Sequence, residues 1–385
     1  MRWQPAVIPL LLAGLLAGGS CTESTGAGGQ QPSDGPPGAV EVVWRVPIAG
    51  RDIGMVPAVD DELLFTVAHG ITAYRVRDGH LSWQTPTGLV QSAPSKIIER
   101  AGRILIAEQS VHAFDSRTGE ELWRFRPAET ASLCQPAADD EAMYFGTGGL
   151  SHLVYAISLV NGQPLWQRDI GPEWPFAGWI SGVAVSGDTV YVGATEDRTQ
   201  NGHLTSGWIV ALDRESGRIL WRHASGAGDT IRSVNGAPVV HGDFVIASDA
   251  FGNSFYAVNR FSGREAWRIP GRPNLEGPTA SPVVKNDRVY VGSGDTFVYA
   301  ADIRSGRLLW QSSHERSSIL YLAVCGSAIF AQEEGVEVFD LNTGAWRQTL
   351  LNADDDFITS GFATLGDSLI FAHGTSAVYA LRCPK

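Results

Sequence analysis

Residues able to do chemistry are sparse in this sequence of 385 residues. The segment 352–360 contains three consecutive acids, Asp354 to Asp356, and carboxylates of this kind suit a cation such as Ca²⁺. The run lacks the alternating spacing of a calcium-binding loop, so a solvated acidic turn is the favoured interpretation. His203 lies in a polar stretch without a second histidine at ligand spacing. The sequence therefore predicts no metal site and no catalytic residue.

Two long connections carry the other candidate residues. One, at 169–181, is rich in aromatic rings, and exposed rings commonly anchor a protein partner. The other is a polar insertion at 194–207. The candidate partner-binding residues are Trp174, Phe176, Trp179, Asp197 and Arg198. The alternative is that the rings only cover the core beneath them.

The elements that position these loops come from a repeated unit, seen most clearly in VYAADIRSGRLLW (298–310). Its first residues favour a strand, Asp302 can cap a tight turn and Gly306 can supply the positive φ of the reversal, before a second strand. The unit occurs seven times, and its copies end at Trp83, Trp123, Trp166, Trp221, Trp267, Trp310 and Trp346. Half a unit, with its tryptophan, lies at 41–46, and the other half lies at 377–382.

The split unit predicts a closed ring. A second strand pair precedes each unit, for example SPVVKNDRVYVG (281–292), so each repeat holds four short strands. The spacing between tryptophans, 36 to 55 residues, is typical of four-stranded propeller blades. Pairing 41–46 with 377–382 would leave no open sheet edge at the ends. We therefore predict an all-β, eight-bladed β-propeller over 41–385, with four antiparallel strands per blade.

The pattern Ala-x-Asp-x-x-(Ser/Thr)-Gly-x-x-x-Trp resembles the pyrroloquinoline-quinone (PQQ) repeat, shared by quinoprotein dehydrogenases and BamB-type assembly lipoproteins, over 41–382. The resemblance implies that the repeat tryptophans pack between neighbouring blades. That role falls to Trp44, Trp83, Trp123, Trp166, Trp221, Trp267, Trp310 and Trp346. Three turns depart from the pattern, with Arg75, Ser158 and Asn259 in place of aspartate, and the seventh unit is two residues short before Trp346. We expect these turns to be less well capped.

Four cysteines, at 21, 134, 325 and 383, form no CxxC pair, so neither a zinc site nor an attached haem is indicated. In the predicted ring, Cys325 follows the first strand of the seventh blade. Cys383 follows the third strand of the eighth blade, which emerges on the same face. The two form a candidate disulfide that would pin the C-terminus. The alternative is that these residues, with Cys134 on the opposite face, are idle thiols.

The N-terminal stretch predicts export. Residues 1–20 resemble a signal peptide, and their apolar run is shorter than the ~20 residues that span a bilayer. The sequence before Cys21 resembles a lipobox, with Gly18 where leucine is preferred, so Cys21 is the candidate lipidation site; plain signal cleavage is the alternative. Residues 21–40, rich in small and polar side chains, predict a disordered tether. The expected location is a membrane-anchored lipoprotein, periplasmic or on the cell surface.

The formal net charge of −12 argues against binding to nucleic acid and against direct adhesion to anionic lipid. The sequence favours a non-catalytic, monomeric scaffold that takes no cofactor and binds an envelope protein or peptide. The BamB resemblance makes outer-membrane protein assembly the specific form of this hypothesis. Two alternatives stay open. One is a PQQ- and Ca²⁺-dependent quinoprotein dehydrogenase, which the absence of a Cys-Cys pair disfavours, and the other is an extracellular sensor or substrate-binding lipoprotein.

Overall fold

The structure is a computed structural model. It describes residues 40–48, 55–67, 70–87, 96–128, 134–148, 152–171, 178–197, 205–226, 233–272, 277–278, 280–313, 318–332, 335–351, 356 and 358–385. Across these ranges the chain forms strands and turns, and they contain no helix. A helical segment of the length and hydropathy needed to cross a membrane is accordingly not found among them.

In the described residues, 32 strands form eight sheets of four strands each. We number the blades in chain order, and the eighth is the one that both ends of the chain build. Blades 1 and 2 contain β2 (Ala58–Val59), β3 (Leu63–Val67), β4 (Gly70–Arg75) and β5 (Leu81–Pro86), then β6 (Ile98–Arg100), β7 (Arg103–Ala107), β8 (Val111–Asp115) and β9 (Glu121–Phe125). Blades 3 and 4 contain β10 (Ala137–Ala138), β11 (Ala142–Gly146), β12 (Leu153–Ser158) and β13 (Pro164–Asp169), then β14 (Gly178–Ser186), β15 (Thr189–Asp197), β16 (Thr205–Asp213) and β17 (Ile219–Ala224).

The second half of the chain repeats this order. Blades 5 and 6 contain β18 (Asn235–His241), β19 (Phe244–Asp249), β20 (Ser254–Asn259) and β21 (Glu265–Pro270), then β22 (Val283–Lys285), β23 (Arg288–Gly292), β24 (Phe297–Asp302) and β25 (Leu308–Ser313). Blade 7 contains β26 (Tyr321–Cys325), β27 (Ala328–Gln332), β28 (Val336–Asp340) and β29 (Trp346–Leu350). Blade 8 contains β30 (Ile358–Leu365), β31 (Leu369–Gly374), β32 (Ala377–Arg382) and, from the start of the chain, β1 (Glu41–Pro47).

The ring is closed by the two ends of the chain. Strand β1 pairs antiparallel with β32, so that Glu41 lies opposite Arg382 and Val46 lies opposite Val378. The Arg382 Nε donates to Glu41 Oε2 at 2.8 Å. Hydrogen bonds between the outermost and the neighbouring strand thus hold blade 8 together. The prediction of an eight-bladed β-propeller sealed by 41–46 and 377–382 is confirmed.

The core lies between blades. The two middle strands of a blade are apolar on both faces, because each face packs against a neighbouring blade. Between blades 1 and 2, for example, Phe65 and Ile71 form one buried cluster with Ile104 and Phe114. The fourth strands are more polar and more exposed, since they form the outer rim.

Seven tryptophans pack between blades as the resemblance implies. Each ring lies against the positive-φ glycine in the last turn of the following blade, where a side chain would have no space: a methyl group on Gly263 would lie 2.6 Å from Cε3 of Trp221. In six of the seven, the indole N–H also donates to a backbone carbonyl of that turn, as Trp267 does to Ile303 at 2.7 Å. The seven are Trp44, Trp83, Trp123, Trp166, Trp221, Trp267 and Trp310.

The assignment of the same role to Trp346 is wrong. Its ring is 47% exposed, and its Nε1 donates to Glu337 Oε2 of its own blade at 2.7 Å. The register explains the error, because Val338 pairs with Gln348, just as Ala300 pairs with Trp310 in blade 6. The seventh unit is therefore not two residues short. It has glutamine at the docking position, and Trp346 stands two residues before it.

A disulfide joins blades 7 and 8 at this interface. Cys325 and Cys383 are bonded, with their Cα atoms 5.5 Å apart. The Cys383 N–H donates to Ser368 O, the bond that Ile303 makes to Asp287 in blade 6, so Cys383 occupies the place of a tryptophan-accepting turn residue. The covalent link thus lies where the docking tryptophan is missing. Beyond it, Ser327 of blade 7 donates its N–H to Pro384 O at 2.8 Å and holds the C-terminus down.

The turns without aspartate differ among themselves. Asn259 Oδ1 accepts the N–H groups of Phe261 and Ser262 at 3.1 and 3.0 Å, which is the capping that Asp302 provides in blade 6. The expectation of weaker capping is therefore wrong at Asn259, because only the side-chain oxygen is needed. At Ser158 a single bond, from Val160 N–H at 3.2 Å, replaces the pair.

Candidate functional site

Residues in or next to the innermost strand of all eight blades line a central channel with a volume of about 1290 Å³. The segments at the start of neighbouring innermost strands contact one another. Val56 of blade 1 forms a parallel bridge with Lys96 of blade 2, and Gln135 of blade 3 forms one with Gly182 of blade 4. Pockets for small molecules usually measure roughly 300–1,000 Å³. The channel therefore has room for a segment of another chain as well as for a small molecule.

One mouth of the channel carries an apolar rim formed by Trp179, Phe251 and Leu320. Trp179 lies in β14, Phe251 lies in the turn between β19 and β20, and Leu320 immediately precedes β26. All three line the channel, and they are 37%, 56% and 50% exposed. Exposed apolar side chains grouped around a concave opening are typical of a binding surface.

Polar groups also line the channel. Gln135 Oε1 accepts from the Ala237 N–H of blade 5 and from Ser281 Oγ of blade 6, both at 3.3 Å. This side chain therefore reaches from blade 3 across part of the opening. Gln332 of blade 7 is 2% exposed and donates its Nε2 to Ile358 O at 2.8 Å, whereas its Oε1 has no hydrogen-bond partner in the part of the chain that the structure describes.

Burial shifts the pKa values of several titratable groups of the lining, among them Lys96 and Cys134. Burial lowers the pKa of Lys96 and raises that of the Cys134 thiol to about 12. The Cys134 sulfur also accepts the Gly146 N–H at 3.0 Å. A thiol with so high a pKa stays protonated near neutral pH, and a protonated thiol is a poor nucleophile.

The predicted partner-binding residues coincide with the channel mouth at one position. Trp179 lies on the rim, whereas Trp174, Phe176 and Arg198 lie outside the described residues. Asp197 ends β15, but its side chain is not among those described. The candidate lipidation site Cys21 also lies outside them.

Sequence reasoning missed Phe251, Leu320 and Lys96. A phenylalanine in the turn Asp249-Ala-Phe-Gly-Asn253 was a readable signal, because apolar residues are unusual in polar turns. No comparable signal marked Lys96, which becomes distinctive only when the blades enclose it.

The acidic run is not simply a solvated turn. Asp354 and Asp355 lie outside the described residues, but Asp356 is 3% exposed. It accepts hydrogen bonds from Thr375 Oγ1 at 2.6 Å, from the Ser376 N–H at 2.9 Å and from the Tyr379 hydroxyl at 2.9 Å. At this residue the expectation is wrong, because the buried carboxylate holds the turn between β31 and β32 in blade 8.

A quinone cofactor held by Ca²⁺ does not fit the described residues. No group of three or more His, Cys, Asp or Glu side chains among them could hold a metal ion. Glu99 is the one carboxylate among the described lining residues, and it accepts the Gly102 N–H at 3.2 Å.

A second pocket, of about 360 Å³, lies beside blades 1 and 2. His112 Nδ1 lies 3.0 Å from Glu121 Oε1, and Arg124 Nε donates to the same oxygen at 2.9 Å. Burial lowers the pKa of His112, and the Glu121 hydrogen bond opposes this. In blade 6 the corresponding position holds Tyr299, bonded to Asp295. Both blades therefore carry a hydrogen-bonded polar side chain at this position of the third strand, with a partner at a different place in each.

The fold and the channel mouth together define a class: a closed eight-bladed propeller with an apolar rim around its axis. The family described as outer membrane protein assembly factor BamB matches residues 38–124 and 107–319. These matches span more than half of the chain, which therefore belongs to this family.

Individual relatives differ in what their names describe. The outer membrane protein assembly factor BamB of Yersinia pestis is 24% identical over 289 residues, which is 68% of each chain. The tetrathionate hydrolase of Acidithiobacillus ferrooxidans is 22% identical over 250 residues, covering 63% of this chain and about half (49%) of that enzyme. The crystal structure of BamB from Moraxella catarrhalis superposes with a TM-score of 0.67 at 16% identity, over 89% of this chain and 98% of that one. At that identity the last match shows the fold alone.

Proposed function

We propose that this chain is a non-catalytic scaffold that binds a protein of the cell envelope at the channel mouth, as part of outer-membrane protein assembly. The observation that carries the proposal is the apolar rim of Trp179, Phe251 and Leu320. Aromatic and aliphatic side chains around a concave opening supply the buried contacts on which protein interfaces depend. Membership of the BamB family supports the envelope role.

In this proposal the scaffold is monomeric and tethered. A lipid on Cys21, followed by the predicted tether 21–40, would hold the propeller near a membrane, and two or more acyl chains give stable anchoring. Mass spectrometry of the N-terminal peptide from purified membranes tests the anchor. Acylated Cys21 is the expected result, and an unmodified cysteine would contradict this part of the proposal.

The binding role is tested by co-purification of the barrel-assembly protein from the same organism with the tagged chain. The chain offers a matched control for the triple rim variant Trp179→Ala, Phe251→Ala, Leu320→Ala. Trp346, Phe261 and Leu308 are the same residue types, 47%, 71% and 38% exposed, but they lie at the turns before the fourth strands, on the other face.

The rim variant should lose the partner, whereas the control variant Trp346→Ala, Phe261→Ala, Leu308→Ala should retain it. Equal capture by both variants would contradict binding at the mouth. Dye-linked alcohol oxidation on addition of PQQ and Ca²⁺ would contradict the non-catalytic role.

A further inference from the structure

Lys96 stands out among the charged residues that line the channel. The chain has three lysines, at 96, 285 and 385. Lys285 pairs with Asp367, and Arg100, the other cation of the described lining, pairs with Asp140 at 2.9 Å. Lys96 has no carboxylate partner in the described part of the chain. The remaining titratable groups of that lining are Glu99, Cys134 and Tyr321.

Lys96 is partly buried, and a partly buried ammonium without a counter-charge is costly. Lysines are seldom buried unless they are paired, because burial removes the hydration of the charge. The lowered pKa of Lys96 expresses this cost, and none of the described carboxylates offsets it. A ligand that brings its own carboxylate into the channel would supply the missing charge.

A second unsatisfied group points to the same kind of ligand. Gln332 is almost completely buried, and its Oε1 is an acceptor that finds no donor among the described residues. It lines the same channel as Lys96. A ligand that satisfies both residues therefore needs an anion and an N–H or O–H donor, and an extended peptide provides N–H donors along its backbone.

We propose that the mouth binds an extended acidic segment of the protein partner, with a carboxylate of the segment against Lys96 and an apolar side chain against Trp179, Phe251 and Leu320. The inference rests on the proposed function, and it specifies the chemistry of the partner. Because the net charge of this chain is −12, the surface at large repels an acidic segment. Attraction is then confined to the channel, which makes binding selective for a segment that can enter it.

The small number of lysines allows a direct test on the whole chain. Reductive methylation with ¹³C-formaldehyde labels only three side chains and the terminal amine, so Lys96 can be assigned by the spectrum of Lys96→Gln. The probes are the tetrapeptide Trp-Ala-Glu-Ala, blocked at both ends, its Gln counterpart, and sodium acetate at the same concentration. The glutamate peptide should raise the pKa of Lys96 by about one unit, since a nearby carboxylate favours the charged form.

Lys285 should not respond to any probe, because its carboxylate partner is already present. An equal response of Lys96 to the Gln peptide would show that the carboxylate is irrelevant. An equal response to acetate would show a site for small anions instead of a peptide. Either result, or no response at all, would overturn the inference.

The co-purification assay separates this inference from the proposed function. Lys96→Gln should weaken partner binding about tenfold, which corresponds to about 1.4 kcal/mol, and the control Lys285→Gln should not. If Lys96→Gln binds like the wild type while the rim variant does not, the acidic segment is wrong and the scaffold role stands. If the rim variant also binds like the wild type, the scaffold role at the mouth fails.

Discussion

At the scale of single residues, the contact between an indole and a glycine decides how closely two blades approach. Gly263 has a φ of 68°, and the ring of Trp221 occupies the space that a side chain would need. Gly242 has a φ of 54°, but a methyl group there would meet nothing within 4 Å. A comparison of alanine substitutions at the two positions therefore separates the cost of the left-handed backbone from the cost of steric crowding.

Gly263→Ala should be more destabilising than Gly242→Ala. A left-handed conformation costs an alanine about 1–2 kcal/mol at either position, and crowding in a packed site adds roughly 1–3 kcal/mol at Gly263. Urea denaturation of both variants measures the difference. Equal free energies of unfolding would show that the tryptophan moves aside without cost.

At the scale of structural elements, the turn between the third and fourth strands reverses the chain and also contains a hydrogen-bonded carboxylate in several blades. Partial burial alone would raise the pKa of Asp340, but hydrogen bonds from Arg347 and from the N–H groups of Thr343 and Asn342 outweigh it and lower the pKa to about 2. Hydrogen bonds from Ser305 lower the pKa of Asp302 in the same way. Asn259 makes equivalent turn contacts without a charge.

These turns should make the fold sensitive to acid. A carboxylate whose folded pKa lies below its unfolded value of about 3.9 stabilises the fold above that value and loses its contribution as the pH falls towards 2. Asp340→Asn should make the loss of stability between pH 4 and pH 2 less steep, and Asn259→Asp should make it steeper. Unfolding free energies measured across that range test both, and parallel curves for all three proteins would contradict the role of the turn carboxylates.

The interface of blades 7 and 8 depends on a disulfide where the others depend on a tryptophan. Cys383→Ser should lower the free energy of unfolding by roughly 2–4 kcal/mol, because the bond constrains an unfolded loop of 58 residues. Denaturation with and without a reductant measures this. The reductant should destabilise the wild type and the control variant Cys134→Ser, which loses a buried free thiol but keeps the disulfide. It should have no further effect on Cys383→Ser, which has no disulfide to reduce. A wild-type midpoint for Cys383→Ser would contradict the role of the bond.

At the scale of the whole molecule, stability depends on the pairing of the two chain ends. Deleting residues 40–47 removes β1 and the Trp44 ring that lies over Gly79, and exposes the edge of β32. The truncated chain should melt at a lower temperature and associate through the open edge. Deleting 26–33, in the predicted tether, is the control of equal length. Identical melting curves for the two deletions would refute closure by the ends.

Much of this architecture can be predicted from the sequence, because every blade of a propeller repeats the same pattern of strands and turns. The Asp-x-x-Ser/Thr-Gly turn and the tryptophan eight residues after its first position recur often enough to reveal the blades and the split eighth unit. The repeat pattern predicts the wrong residue in one blade, where a tryptophan lies two residues before the docking position. The sequence pattern predicts the docking ring at Trp346, whereas the strand register assigns that place to Gln348.

The repeat by itself determined the number of blades, the closure of the ring and most of the docking residues, because these follow from contacts within one unit and its neighbour. Only the tertiary structure decided what lies on the axis. Trp179, Phe251, Leu320 and Lys96 come from four different blades, and their distances along the chain carry no sign that they share one opening. Enclosure by eight blades is what turns an ordinary lysine and three scattered apolar side chains into a candidate site, since burial and convergence are properties of the ring and not of the repeat.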